Sequence, residues 1–304
     1  MKKISKTTLF LILTFTISYL SAGIYKLVGG PNPGSGIYTL FGAFYMFIPT
    51  ICVVITQKLV FHEKIKSELL ISFKINKWFF VAWLLMPIIV FATIGINIIS
   101  PNVSYNPEMT GFFDRLKGLM TPEQLELAQQ QTYTLPIPMI WLLLISGLFA
   151  GITVNGLASF GEELGWRGFL LKSFQHMKFG KASLLIGFIW GIWHAPLILM
   201  GHNYPQHPQI GVLMMIVMCT LITPFLLYVT IKSKSVISAA IMHGTMNALA
   251  AISIMAIKGG NDLTSGIAGL AGFITFAIFL AAFFIYDQYI SKDKIFTTRI
   301  IDHL

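Results

Sequence analysis

Apolar residues run along this chain in long unbroken stretches, not in the alternating or single-face patterns of soluble strands and helices. A helix needs about 20 residues to cross a hydrocarbon core. Stretches of that length near residues 7–25, 38–61, 78–99, 137–160, 182–200, 210–231, 235–257 and 266–286 predict eight membrane helices. The fold class is therefore all-α, a polytopic membrane helix bundle of about eight transmembrane helices. The first stretch also has the form of a secretory signal, with Lys2, Lys3 and Lys6 ahead of Leu9 to Leu13 and a small-residue end at Ser21-Ala22-Gly23. Seven further spans favour an uncleaved helix. No stretch between spans holds a soluble domain and no internal repeat is visible, so residues 1–304 read as a single membrane domain.

Composition agrees with the pattern: 55% of residues are hydrophobic and 11% charged, with a mean hydropathy of +0.75. Cys52 and Cys219 both lie inside apolar runs, where they read as small buried hydrophobes and not as a disulfide or a metal pair. The net charge of +9 suggests nucleic acid in a soluble protein; here the cations occupy short loops between spans, so no nucleic-acid partner is read from them. With the N-terminus inside, 17 Lys and Arg residues fall on inner segments, and only Lys26, Arg115, Lys117 and Lys258 fall outside. The positive-inside rule then places both termini in the cytoplasm, in an integral membrane protein of the plasma membrane. In the longest outer loop, residues 100–136, Thr121-Pro-Glu-Gln124 carries the marks of a capped helix start, so a short helix outside the core is expected. The basic loop from His62 to Lys77 reads as a segment lying on anionic headgroups.

Ionisable groups inside spans are costly and mark working sites. Ten of the twelve acidic residues fall in loops, tails or a helix end; the Glu162-Glu163 pair does not. Glu163 and Arg167 are four apart and share a helix face, with the glutamate on the favoured N-terminal side. Glu162 points about 100° away, without an intrahelical cation. Two adjacent carboxylates in low dielectric resist ionising together, so Glu162 is the candidate general base and Glu163 the structural carboxylate. His243 and Asn247 are also four apart and offer donors of the kind an oxyanion site uses. His194 lies two residues before Pro196, which cannot donate to the carbonyl of Ile192; a kink there opens space for water. One condition follows. If the fourth span ended near Phe160, Glu162 would lie at the membrane edge while His194 lay about 20 Å deep, so the site requires the glutamate helix to run further.

Glu162-Glu-x-x-x-Arg167, an aromatic four residues before His194, and His243-x-x-x-Asn247 together resemble the three-motif signature of the CPBP (Abi) family of intramembrane proteases, which includes the type II CAAX prenyl endopeptidases. The likeness covers residues 137–257, the expected catalytic core. One departure is Trp190, where the family carries Phe; both are aromatic, so packing beside the histidine differs while the chemistry is kept. The resemblance implies an endopeptidase acting on membrane-anchored peptides or proteins at a site open to bilayer lipids. Glu162 and His194 would activate water, His243 and Asn247 would steady the oxyanion, and Glu163 with Arg167 would hold the architecture. Bacterial members are linked to bacteriocin immunity, peptide maturation and signalling, so a prenylated substrate is not implied for this chain.

Family members are often labelled metalloproteases, and Glu162, His194 and His243 would be the zinc ligands of that alternative. No His-Glu-x-x-His is present, and Asn beside His suits oxyanion donation, so a metal-free, cofactor-free glutamate mechanism is favoured. His202 and His207 have no further ligand near them in the sequence. Two other classes stay open: a proton-coupled transporter, against which stands the lack of a second copy of the glutamate motif, and a non-catalytic bacteriocin-immunity protein.

Overall fold

A computed structural model describes residues 4–31, 33, 35–116, 121–134 and 136–304; Lys2, Lys3 and Lys117, counted above among the topogenic charges, lie outside the described residues. The helices are α1 (Lys6–Leu27), α2 (Gly36–Val60), α3 (Lys77–Ile99), α4 (Thr110–Leu116), α5 (Pro122–Tyr133), α6 (Met139–Ile152), α7 (Val154–Ser173), α8 (Phe179–Trp193), α9 (Ala195–Leu199), α10 (Pro208–Ser233), α11 (Val236–Met255) and α12 (Leu270–Ile290). Six of them, α1, α2, α3, α10, α11 and α12, are each long and apolar enough to cross a membrane, and the pair α6 and α7, bent by 47° at their junction, passes the same test of length and apolarity only when taken together. The remaining predicted span, 182–200, is built from the 15-residue α8 and the one-turn α9. The chain is an integral membrane protein of the expected helical class.

Polar residues just ahead of the apolar runs start the helices. Ser5, Ser35, Asn76 and Ser235 each accept a hydrogen bond from a backbone N–H of the first turn of α1, α2, α3 and α11. Thr121 and Gln124 form the reciprocal capping box expected for α5. The two-residue strands Ser104–Tyr105 and Ile257–Lys258 pair antiparallel, a contact that no alternation in the sequence announces.

Segments predicted to share a membrane face do meet. At one end Lys6 pairs with Glu63, Asn76 Nδ2 donates to Ser233 O at 3.1 Å, Lys232 pairs with Asp293 at 2.5 Å, and Phe179 N donates to Thr298 O at 2.9 Å. At the other end Asp262 Oδ1 pairs with His207 Nδ1 at 2.6 Å, and Tyr204 donates to Ala268 O at 2.6 Å.

α11 is the central helix, packed against α3, α6, α7 and α10. Helices inside lipid gain little from apolar burial against one another and instead use small residues for close approach. Gly244 brings α11 onto α7: a Cβ there would stand 2.5 Å from Gly156 N and 2.7 Å from Asn155 C. Gly191 does the same between α8 and α10, where a Cβ would lie 2.5 Å from Ile216 Cα.

The break at His194 is closed by the first two helices. Pro196 leaves the Ile192 carbonyl without its helical donor, and Tyr19 of α1 donates to that oxygen at 2.7 Å. Tyr45 of α2 donates to Trp193 O at 2.9 Å, and Trp193 Nε1 donates to Ser18 Oγ of α1 at 2.7 Å. Helices that carry none of the recognised motifs thus hold the turn on which a motif histidine sits.

Two substitutions test this packing by thermal unfolding in detergent. Gly244→Val meets backbone on the opposing helix and lowers stability by roughly 1–3 kcal/mol or more, as overpacking does, while Gly23→Ala, with nothing within 4 Å of a Cβ, stays within about 0.5 kcal/mol. Tyr45→Phe leaves the Trp193 carbonyl unpaired in a buried setting and costs about 1–3 kcal/mol.

Candidate active site

The helix carrying the glutamates runs past its predicted end. α7 continues from Val154 to Ser173, and the segment Leu164–Leu170 widens into π-helix, a distortion found often at functional sites. The bend at Thr153, not a span boundary at Phe160, divides this crossing. Glu162 and Glu163 therefore sit within the bundle and are 2% and 0% exposed.

Glu163 anchors a fully buried polar cluster. Its Oε1 accepts from Arg167 Nη1 at 2.9 Å, four residues on as expected, and from His243 Nδ1 of α11 at 2.8 Å. Arg167 Nη2 donates to Thr223 Oγ1 of α10 at 2.9 Å, and the guanidinium lies 4.1 Å from the centre of the Trp190 ring of α8. Four helices are joined through this one carboxylate and its cation.

Glu162 takes the other direction around the helix. Its Oε2 accepts from Trp190 Nε1 at 2.6 Å, and no protein group among the described residues bonds its Oε1. Glu162, His194, His243 and Asn247 all line one cavity of about 610 Å³, together with Trp190, Cys219 and, two turns before Glu162 on α7, Asn155. No direct bond joins Glu162 and His194 among the described residues; both line the cavity and both bond Trp190, whose N–H donates to the glutamate and whose carbonyl lies 2.9 Å from His194 Nδ1. That bond makes Nδ1 the protonated nitrogen of a neutral His194 and leaves the Nε2 lone pair free. In His243 Nδ1 faces the Glu163 carboxylate, so Nε2 is again the free nitrogen.

All six motif residues are thus brought together, four lining the cavity and Glu163 with Arg167 behind it. Several other polar groups were not placed by the sequence. Asn155 and Tyr45 line the cavity; Asn155 is seven residues before Glu162, a spacing that shares a helix face, and this was the available signal. Asp287, read above as lying at a helix end, is fully buried, accepting from Tyr228 at 3.2 Å and from Phe296 N at 3.1 Å; the glutamate pair is not the only acid buried in a span. His207 has a partner after all in Asp262, a bond that joins the loop ahead of α10 to the loop ahead of α12. His202 lines the cavity, and burial pushes its imidazole down to about 4, so it is uncharged near neutral pH. Cys52 and Cys219 are both free and buried.

The alternative metal set fits poorly. Among the described residues no three His, Cys, Asp or Glu side chains are grouped so as to hold a metal ion. Glu162 Oε2 and the Nδ1 of each histidine are bonded to protein, which leaves Glu162 Oε1 and both Nε2 atoms unbonded and does not itself weigh against a metal.

Residues 136–249 match the family model described as Type II CAAX prenyl endopeptidase Rce1-like. A stretch of 69 residues is 38% identical to CAAX prenyl protease 2 of Methanococcus maripaludis, covering 22% of this chain and 21% of that protein. The match thus spans about a fifth of the relative's length. It is the motif-bearing helices α6 to α11 that are alike, and over residues 136–249 this chain is similar to the Rce1-like, type II CAAX prenyl endopeptidase family.

Proposed function

We propose that the protein is an intramembrane endopeptidase that hydrolyses peptide bonds of membrane-anchored peptides or proteins, with Glu162 and His194 activating water. The observation that carries this reading is the convergence of Glu162, His194, His243 and Asn247 on one cavity, with Glu163 and Arg167 bonded behind them. The unpaired Oε1 of Glu162 takes a proton from water while the Nε2 lone pair of His194 orients it. The hydroxide formed adds to the scissile carbonyl, and the oxyanion is met by the Asn247 amide and by His243 Nε2–H. Glu162 then returns the proton to the leaving amine. Charge balance favours the cycle: Glu162, Glu163, Arg167 and His243 sum to zero when Glu162 and His243 share one proton, so a base and a cationic donor exist together without net buried charge.

No step here is routed through a metal, since the candidate ligands are not grouped to hold one. Residues 1–304 act as one domain with 137–257 as its catalytic core; the contacts of Ser18, Tyr19 and Tyr45 with the His194 turn support that unity. The relative's name, CAAX prenyl protease 2, makes CAAX-like membrane-anchored proteins the first substrates to offer, with and without a prenyl group. The plasma membrane with both termini in the cytoplasm is the proposed setting.

Purified protein in bilayers should cleave such peptides. Glu162→Gln should abolish cleavage while the protein stays folded, and zinc chelation should leave the rate unchanged. Loss on chelation with recovery on zinc would establish the metalloprotease instead, and equal behaviour of wild type and Glu162→Gln would favour immunity or transport. Glu163→Ala removes the partner of a buried Arg and costs about 3–5 kcal/mol, lowering stability as well as rate. For topology, a cysteine placed at Lys66 or Lys292 should be labelled only from the cytoplasmic side and one at Glu126 only from outside, the native cysteines being buried.

A further inference from the structure

Trp190 stands among the site groups without a role in the steps above. Its ring is 1% exposed and sits 5.2 Å from the His243 ring and 5.5 Å from the His194 ring, centre to centre, with the Arg167 guanidinium 4.1 Å from its own centre. A buried indole N–H needs an acceptor, and the one supplied is Glu162 Oε2 at 2.6 Å. Bonds from a donor to an ionised carboxylate are the short and strong ones.

We infer that Trp190 is a positioning residue for the base: its indole N–H ties down one carboxylate oxygen of Glu162, holding the other toward the cavity for water. The inference rests on Glu162 being the base. Three features separate this from space filling. The bond uses only one of the two Glu162 oxygens, so it sets the rotamer and leaves a basic site open. The same residue's carbonyl orients His194 at 2.9 Å, so both groups that face the water are referred to one residue of α8. The ring itself is fixed from the opposite side by Arg167, which Glu163 and Thr223 hold in turn. The position of Glu162 is thereby linked to the charged cluster through an aromatic plate, although Glu162 shares no bond with that cluster. Hydrogen bonding to the charged form of a carboxylate also favours that form, which offsets part of the burial cost at a side chain only 2% exposed.

Trp190→Phe isolates the N–H, because Phe keeps an aromatic face for Arg167 and the backbone carbonyl for His194. The expected result is a fall in kcat of roughly ten- to a hundred-fold near neutral pH, the range of a lost bond to a charged group, with KM changed less than about threefold. The deficit narrows as pH rises, because the acid limb of the rate profile moves to higher pH when the carboxylate loses its donor. A variant that melts earlier but keeps the wild-type kcat and acid limb would reduce Trp190 to packing and overturn the inference. Failure of the base reading looks different: there Glu162→Gln retains activity whatever Trp190 does. A second measurement needs no turnover and no fold in the Trp190 variant. In ultraviolet resonance Raman spectra, the difference between wild type and Glu162→Gln should show one of the six tryptophans losing a strong indole N–H bond. No change in the indole N–H band would contradict the inference.

Discussion

A carboxylate taken out of water into a bundle within lipid costs several kcal/mol unless a cation and hydrogen bonds meet it, and the arrangement of the core follows from meeting that cost at Glu163. Arg167 and His243 both bond one of its oxygens, and Arg167 reaches on to Thr223 and lies over Trp190. Helices α7, α8, α10 and α11 are thereby fixed at one depth and in one rotation about their axes. The adjacent residue, Glu162, is then turned toward the cavity by helix geometry, and Trp190 Nε1 bonds one of its oxygens there. Structure and chemistry divide between neighbouring side chains because consecutive residues on a helix face different ways.

The second constraint is the interrupted backbone at His194. An unmatched carbonyl in lipid surroundings must be satisfied by protein, and Tyr19 and Tyr45 do this from α1 and α2. The likeness to known proteases begins at residue 136, yet the turn that presents His194 depends on hydroxyls well before it. The motif helices supply the reactive groups, and the N-terminal helices keep one of them in place. Glycines at the crossings, Gly244 of α11 against α7 and Gly191 of α8 against α10, supply the close approach of the helices that carry the cluster.

Much of the bundle could be read in advance because lipid imposes a simple pattern: every predicted span corresponds to a helix, and the Thr121 capping box appears where its residues call for it. The i, i+4 rule anticipated the pair of Glu163 with Arg167, which the structure contains. The end of the glutamate helix was misjudged because hydropathy falls at the very carboxylates the bundle buries, and the true break is a local backbone bend at Thr153, between Gly151 and Gly156, inside a run whose hydropathy does not mark it. Asp287 was taken for a helix-end residue because its partners, Tyr228 of α10 and the Phe296 N–H of a short 3-10 helix beyond α12, lie on other elements. The bond from Trp190 to Glu162 joins residues 28 apart on different helices; periodicity within one helix carries no information about it. Roles that depend on contacts between helices needed coordinates, whereas those that depend on spacing within one helix did not.

The account's central claim is that water, activated at Glu162 in the shared cavity, is the nucleophile. Single-turnover cleavage of a membrane-anchored peptide by purified protein in water labelled with oxygen-18 tests it most directly. The account predicts label in the newly formed carboxyl terminus in the first turnover and none in the Glu162 side chain. Label appearing in Glu162, as an acyl-enzyme formed on that carboxylate would leave it, or a product without label, would contradict it.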